Sequence, residues 1–156
     1  MGRSHGITFA YDNKRLLKTL AKYQGDVIAK TEECVEKSAR IYESELRSLA
    51  SQHLDSDIVS DITVSFEKNE FEMGTRIGWT KNEEFNPDHV TNVYKAIFAN
   101  YGTPKRFTKA GAERGSIDST GFLKQAKENV KDTIHKLQKD IIKQANKEAR
   151  REFNKR

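Results

Sequence analysis

From residue 28 to residue 49 apolar side chains recur mostly three or four residues apart, at Ile28, Val35, Ala39, Tyr42, Leu46 and Leu49. That period places them on one helical face and predicts a long amphipathic helix from Val27 to about residues 51–53. Upstream, Ile7, Phe9 and Tyr11 alternate as in a short strand, and Asp12 or Asn13 can cap a helix carrying Leu16, Leu17, Leu20 and Tyr23. Gly25 is a stop for that helix and Asp26 a fresh cap for the next. Past the long helix the period shortens to two. Ile62, Val64 and Phe66, then Phe71, Met73, Thr75, Ile77 and Trp79, alternate on either side of the polar turn Lys68-Asn69-Glu70. This predicts an antiparallel hairpin. Gly74 and Gly78 in its second strand predict a bulge or a close backbone approach.

Residues 80–92 read as a polar loop holding Pro87. Val93, Tyr94, Ile97, Phe98 and Tyr101 then recur at helical spacing, a short helix or a helical approach to a strand, and Gly102-Thr103-Pro104 stops them. Residues 104–119 are basic, glycine-containing and poor in apolar side chains, which predicts a mobile loop unless a partner orders it. Ser119 or Thr120 can cap the last helix, whose apolar marks Leu123, Ala126, Val130, Ile134, Leu137, Ile141 and Ala145 are all three or four apart. Glu148 and Glu152 continue that stripe with charge, so packing should fade after residues 145–149 and the end, 150–156, should fray. Residues 1–156 thus read as a single α+β domain, with long N-terminal and C-terminal helices packed on a small antiparallel sheet.

Composition adds a thin core. Only 35% of the 156 residues are hydrophobic and 33% are charged, so a large polar surface is left over and a partner surface becomes a live expectation. No stretch approaches the roughly 20 apolar residues of a membrane span, so no membrane partner is expected. The opening Met1-Gly2-Arg3-Ser4-His5-Gly6 has neither the apolar region of a secretory signal nor the Ser or Thr of a myristoylation signal. The lone Cys34 cannot form an internal disulfide, which suits a reducing compartment, and with no His or basic activator beside it, it reads as a buried, inert thiol.

The net charge of +5 hides a division along the chain. Residues 54–90 hold nine acidic and three basic side chains, a net of −6, whereas residues 91–156 hold sixteen basic and seven acidic, a net of +9. Solvated faces would explain this. So would complementarity between copies of the chain, or attraction to a polyanion such as DNA. The last helix carries Lys124, Lys127, Lys131, Lys136, Lys139, Lys143, Lys147, Arg150 and Arg151, interleaved with Glu128, Asp132 and Asp140. Glu128 with Lys131 and Asp132 with Lys136 read as intrahelical pairs, and a solvated face is the simpler reading of that helix.

Catalytic motifs are missing from the sequence. His5, His53, His89 and His135 are scattered, with no ligand or triad partner at motif spacing, and Gly111 to Gly115 lacks the ending of a phosphate-binding loop. The adjacent carboxylates Glu32-Glu33 and Glu83-Glu84 read as solvated. No enzyme activity, cofactor or metal is therefore expected.

Two short motifs carry a resemblance. The run from Tyr94 to Thr103, with Phe98, Tyr101 and Gly102, leads through the loop to Gly121-Phe122-Leu123-Lys124-Gln125-Ala126. This pattern is similar to that of tail-completion, or head–tail joining, proteins of long-tailed bacteriophages, in which an aromatic-Gly-Thr precedes a Pro-Phe-Leu start of the last helix. Asn100 stands here where that family usually has Glu, and Gly121 where it has Pro. The resemblance implies an α+β protomer that assembles as a ring, with six copies, at the neck of the virion. It implies neck or head-completion proteins and tail-tube or tail-terminator proteins as partners, with DNA passing nearby. It also implies assembly in the host bacterial cytoplasm.

The resemblance makes Tyr94, Phe98, Tyr101 and Gly102 fold-setting, with Thr103 completing the motif, and makes Phe122, Leu123 and Ala126 the anchor of the last helix. Lys105, Arg106, Lys109 and Arg114 are the candidates for an interface or the DNA path. Two alternatives stand beside this reading. One is a small basic nucleic-acid-binding protein using the last helix, marked by a steep loss of DNA affinity with salt. The other is an enzyme whose site assembles from distant residues, marked by a pocket that brings His53, His89 or His135 beside a carboxylate.

Overall fold

The long helix predicted from Val27 is present as α1, Asp26–Ala50, in the computed structural model, which describes residues 26–68, 73–80 and 89–154. A short helix α2, Ser56–Ser60, follows, then strands β1, Thr63–Lys68, and β2, Met73–Gly78, helix α3, Asn92–Tyr101, and helix α4, Phe122–Asn154. The strand at 6–11, the helix around 16–23 and the Glu83-Glu84 pair lie outside the described residues. The architecture is α+β: helices with a small two-stranded antiparallel sheet.

The faces follow the sequence period. Thr31, Cys34, Val35, Ser38, Ala39, Tyr42, Leu46 and Ala50 are the buried positions of α1. On α4 the buried positions are Phe122, Leu123, Ala126, Val130, Ile134, Ile141 and Ala145. Each set falls on one face of its helix, and the two faces pack on each other. The helices run antiparallel. Lys30 pairs with Glu148 at one end, and the Asn129 amide donates to the Glu45 carboxylate at 2.7 Å toward the other. Ile28 departs from the expected stripe: it is 60% exposed.

The sheet packs on α1 through β2, whose Thr75 and Ile77 point inward together with the following Trp79. Its register is continuous, Thr63 opposite Gly78 through Lys68 opposite Met73, so no bulge occurs at Gly74. A Cβ at Gly74 would meet nothing within 4 Å, so no close approach occurs there either.

Between α1 and the sheet, α2 was not legible as a helix, because Ile58 is its lone buried residue and five residues cannot show a period. Distant hydrogen bonds hold it. The Arg47 guanidinium donates to the carbonyls of Val59 at 2.8 Å and Ile62 at 2.6 Å, and also to Glu43. The Trp79 indole donates to the Ile58 carbonyl at 2.6 Å. Burial works to raise the Glu43 carboxyl, but hydrogen bonds from Arg40 and Arg47, and their charges, outweigh it and hold it below the ordinary value.

Ion pairing on α1 shows how adjacent carboxylates part. Glu32 turns to Lys68 of β1, while Glu33 turns to Lys37 on its own helix. Neither is a paired-carboxylate site. Cys34 is buried, as the sequence suggested, and burial raises its thiol above the ordinary value.

Candidate functional site

The two motif halves, 18 residues apart in sequence, meet in space where α3 ends and α4 begins. Helix α3 stops at Gly102, whose amide donates to the Phe98 carbonyl at 2.8 Å and whose φ of 76° lies in the region that favours glycine. A Cβ there would lie 2.7 Å from the Ile117 carbonyl oxygen and 2.9 Å from the Ser119 amide nitrogen. Gly102 is thus required both for the turn and for the close approach of the returning chain.

That returning chain makes the residues between the helices an irregular hairpin. Antiparallel bridges join Thr103 to Ile117 and Phe107 to Glu113. The Thr103 amide donates to the Ile117 carbonyl at 2.8 Å, and the Ile117 amide to the Thr103 hydroxyl at 3.0 Å. At the tip, the Thr108 amide donates to the Ala112 carbonyl at 2.8 Å and the Thr108 hydroxyl accepts from the Ala112 amide at 3.0 Å.

The base of the hairpin is fastened to α3. The Ser119 hydroxyl donates to the Asn100 carbonyl at 2.7 Å, and the Thr120 hydroxyl to the Ala99 carbonyl at 2.8 Å. These two side chains therefore do not cap α4, contrary to the sequence expectation, because the last carbonyls of α3, left without partners in that helix, accept from their hydroxyls. Asn100 caps α4 instead: it is buried, and its side-chain oxygen accepts from the Leu123 amide at 3.0 Å. One side chain on α3 thus fixes where α4 starts. The sequence named Asn100 as a departure from the family pattern but not as a cap, although its spacing from Val93 and Ala96 puts it on the buried face of α3.

The motif aromatics divide between interior and surface. Phe122 is completely buried, edge-on to Trp79 with centroids 6.1 Å apart and stacked under His53 at 6.2 Å. Leu123 and Ala126 are buried beside it. Tyr94 and Phe98 are half-buried, with ring centroids 6.3 Å apart. Tyr101, expected among the fold-setting residues, is 66% exposed. The helix turns it out beside buried Tyr42, whose phenol is pushed well up by burial and further by Tyr101.

The four candidate cations also divide. Lys105 forms an ion pair with Glu113 at 3.1 Å, within the hairpin. Arg106 and Arg114 stand opposite one another, the Arg114 amide donating to the Arg106 carbonyl at 2.7 Å, and neither has an acidic partner among the described residues. Opposite residues of an antiparallel pair share a face, so two like charges are held side by side. Lys109 is exposed at the tip. Near these cations Phe107 is 61% exposed and Ile117 38%. Neither was singled out from the sequence, since an isolated apolar residue in a loop has no period to show its exposure.

The places of the histidines bear on the enzyme alternative. His53 stacks on Phe122 and His135 is exposed on α4, whereas His89 and Asp61 do line one open pocket of about 490 Å³, with Thr63, Thr80 and Asn92. The Asp61 carboxylate accepts from the Asn92 amide at 2.7 Å, and no hydrogen bond joins it to His89. Among the described residues no cluster of three or more His, Cys, Asp or Glu side chains could hold a metal ion. Nor is any helix among them long and apolar enough to cross a membrane. No family model, curated protein or solved structure matches this chain.

Proposed function

We propose that this chain is a non-enzymatic structural protein of a tailed phage or prophage that assembles as a ring of six copies at the head–tail junction and joins tail to head. The observation that carries the reading is the hairpin between α3 and α4. It stands on a fixed base, Gly102 and Asn100, and exposes Arg106 and Arg114, which have no acidic partner among the described residues, on one face and Phe107 and Ile117 on the other. Aromatic and arginine side chains are the types enriched at the energetic centres of protein interfaces. Two like charges held opposite one another disfavour the hairpin on its own, and an acidic partner surface relieves that.

The sequence offers acidic residues for such a role in 54–90, with a net charge of −6. Of these, Asp55, Asp57 and Asp61 are exposed around α2, away from the hairpin's own ion pair. A ring needs one face that fits a different face on the next copy, and the basic hairpin and acidic segment are such a pair. The resemblance of residues 94–126 to tail-completion proteins supplies the setting, with neck and tail-tube or tail-terminator proteins above and below the ring.

The test is electron microscopy of particles carrying a tagged copy, comparing the native chain with Arg106→Glu/Arg114→Glu. The native protein should label the neck, and the double variant should fold but be missing from particles. Absence of the native protein from virions would end the reading, and normal incorporation of the variant would remove the hairpin from it.

A further inference from the structure

The outer face of α4 is not the salt-bridged surface its sequence suggests. Neither of the expected intrahelical pairs, Glu128 with Lys131 and Asp132 with Lys136, forms, whereas Glu148 pairs with Lys30 of α1. Between residues 133 and 147 the one acidic residue is Asp140. Lys136, Lys139, Lys143, Lys147 and Arg150 follow at spacings of three or four and are all exposed. At 3.6 residues per turn they fall within about 80° of arc, opposite the buried stripe of Ile134, Ile141 and Ala145. They therefore form a straight row of five cations over roughly 21 Å of helix. Lys143, Lys147, Arg150 and Arg151 also line a shallow recess of about 380 Å³. Attraction to the helix dipole explains Arg151 in the last turn, but not Lys136, Lys139 and Lys143 two or more turns earlier.

From this row we infer a second binding surface, independent of the ring reading: the outer face of α4 binds the phosphate backbone of duplex DNA without reading its sequence. A duplex carries one negative charge per about 1.7 Å of axis, a linear array that a straight row of cations can follow. Residues 123–152 contain no Phe, Tyr or Trp on which unpaired bases could stack, which favours a duplex over a single strand. A membrane surface would need an apolar face free to insert, and the apolar face of α4 is packed against α1.

The experiment titrates the full-length protein into a labelled duplex of arbitrary sequence and follows anisotropy from 50 to 200 mM salt. Five phosphate contacts should weaken binding about 500-fold over that range, and Lys136→Gln/Lys139→Gln/Lys143→Gln should cut the dependence to about tenfold. Lys95→Gln/Lys124→Gln/Lys131→Gln, which removes the same charge elsewhere, should leave the salt dependence near that of the native protein. Three results would overturn the inference: no binding at 50 mM salt, equal losses in the two triple variants, or capture by phosphatidylglycerol vesicles but not by DNA. None of these bears on whether the protein enters the virion neck, so the two readings fail separately.

Discussion

Gly102 shows most directly how one residue sets the candidate site. Its φ of 76° and the 2.7 Å that would separate a Cβ from the Ile117 carbonyl oxygen leave no room for any side chain. Gly102→Ala should cost at least about 2 kcal/mol, from backbone strain together with the displaced hairpin base. Urea unfolding measures it, and a loss below about 1 kcal/mol would mean that the returning chain simply yields. Cys34 makes the opposite point, since chemistry-bearing residues can be silenced by place. Burial raises its thiol, so little thiolate exists at neutral pH. Native protein should resist a thiol reagent at pH 8 and react in step with unfolding; rapid native reaction would contradict the packing of α1 on α4.

At the scale of elements, the helix stripes and the stop at Gly102 were legible, and the group that caps α4 was not. The buried faces of α1 and α4 follow from apolar spacing, because a local period decides which side of a helix turns inward. The start of α4 depends on Asn100, 23 residues before the amide it caps. Asn100→Ala removes a buried cap and should destabilise the protein by about 1–2 kcal/mol. The urea midpoint should fall with the slope unchanged, and a midpoint that does not move would show the cap to be dispensable. Ser119 and Thr120 looked suited to that role, but the open carbonyls of α3 lie closer and take their hydroxyls. The same limit hid α2, which rests on Arg47 and Trp79 hydrogen bonds from outside its five residues.

For the whole molecule, the division of charge matters more than its total. If the basic hairpin of one copy meets the acidic 54–90 segment of the next, raising salt from 50 to 500 mM should dissociate assembled rings, because exposed charges are screened beyond a few ångströms at such ionic strength. Sedimentation of rings recovered from particles would measure this. Rings indifferent to salt would point to the apolar contacts of Phe107 and Ile117 as the main adhesive.

The sequence by itself determined the α+β class, the two long amphipathic helices, the β-hairpin and the position of the basic loop. All of these are written in local period and composition. It also marked Phe122, Leu123 and Ala126 as core, and they are. Only the tertiary structure decided that Lys105 is neutralised by Glu113 while Arg106 and Arg114 are left facing each other. The same holds for exposed Tyr101 and Phe107, and for the outer face of α4, where the expected ion pairs do not form. The physical reason is common to these cases. Periodicity tells which side of an element is apolar, but a charge or a cap is satisfied by whichever group the fold brings within about 3 Å, and that group is often far away in sequence.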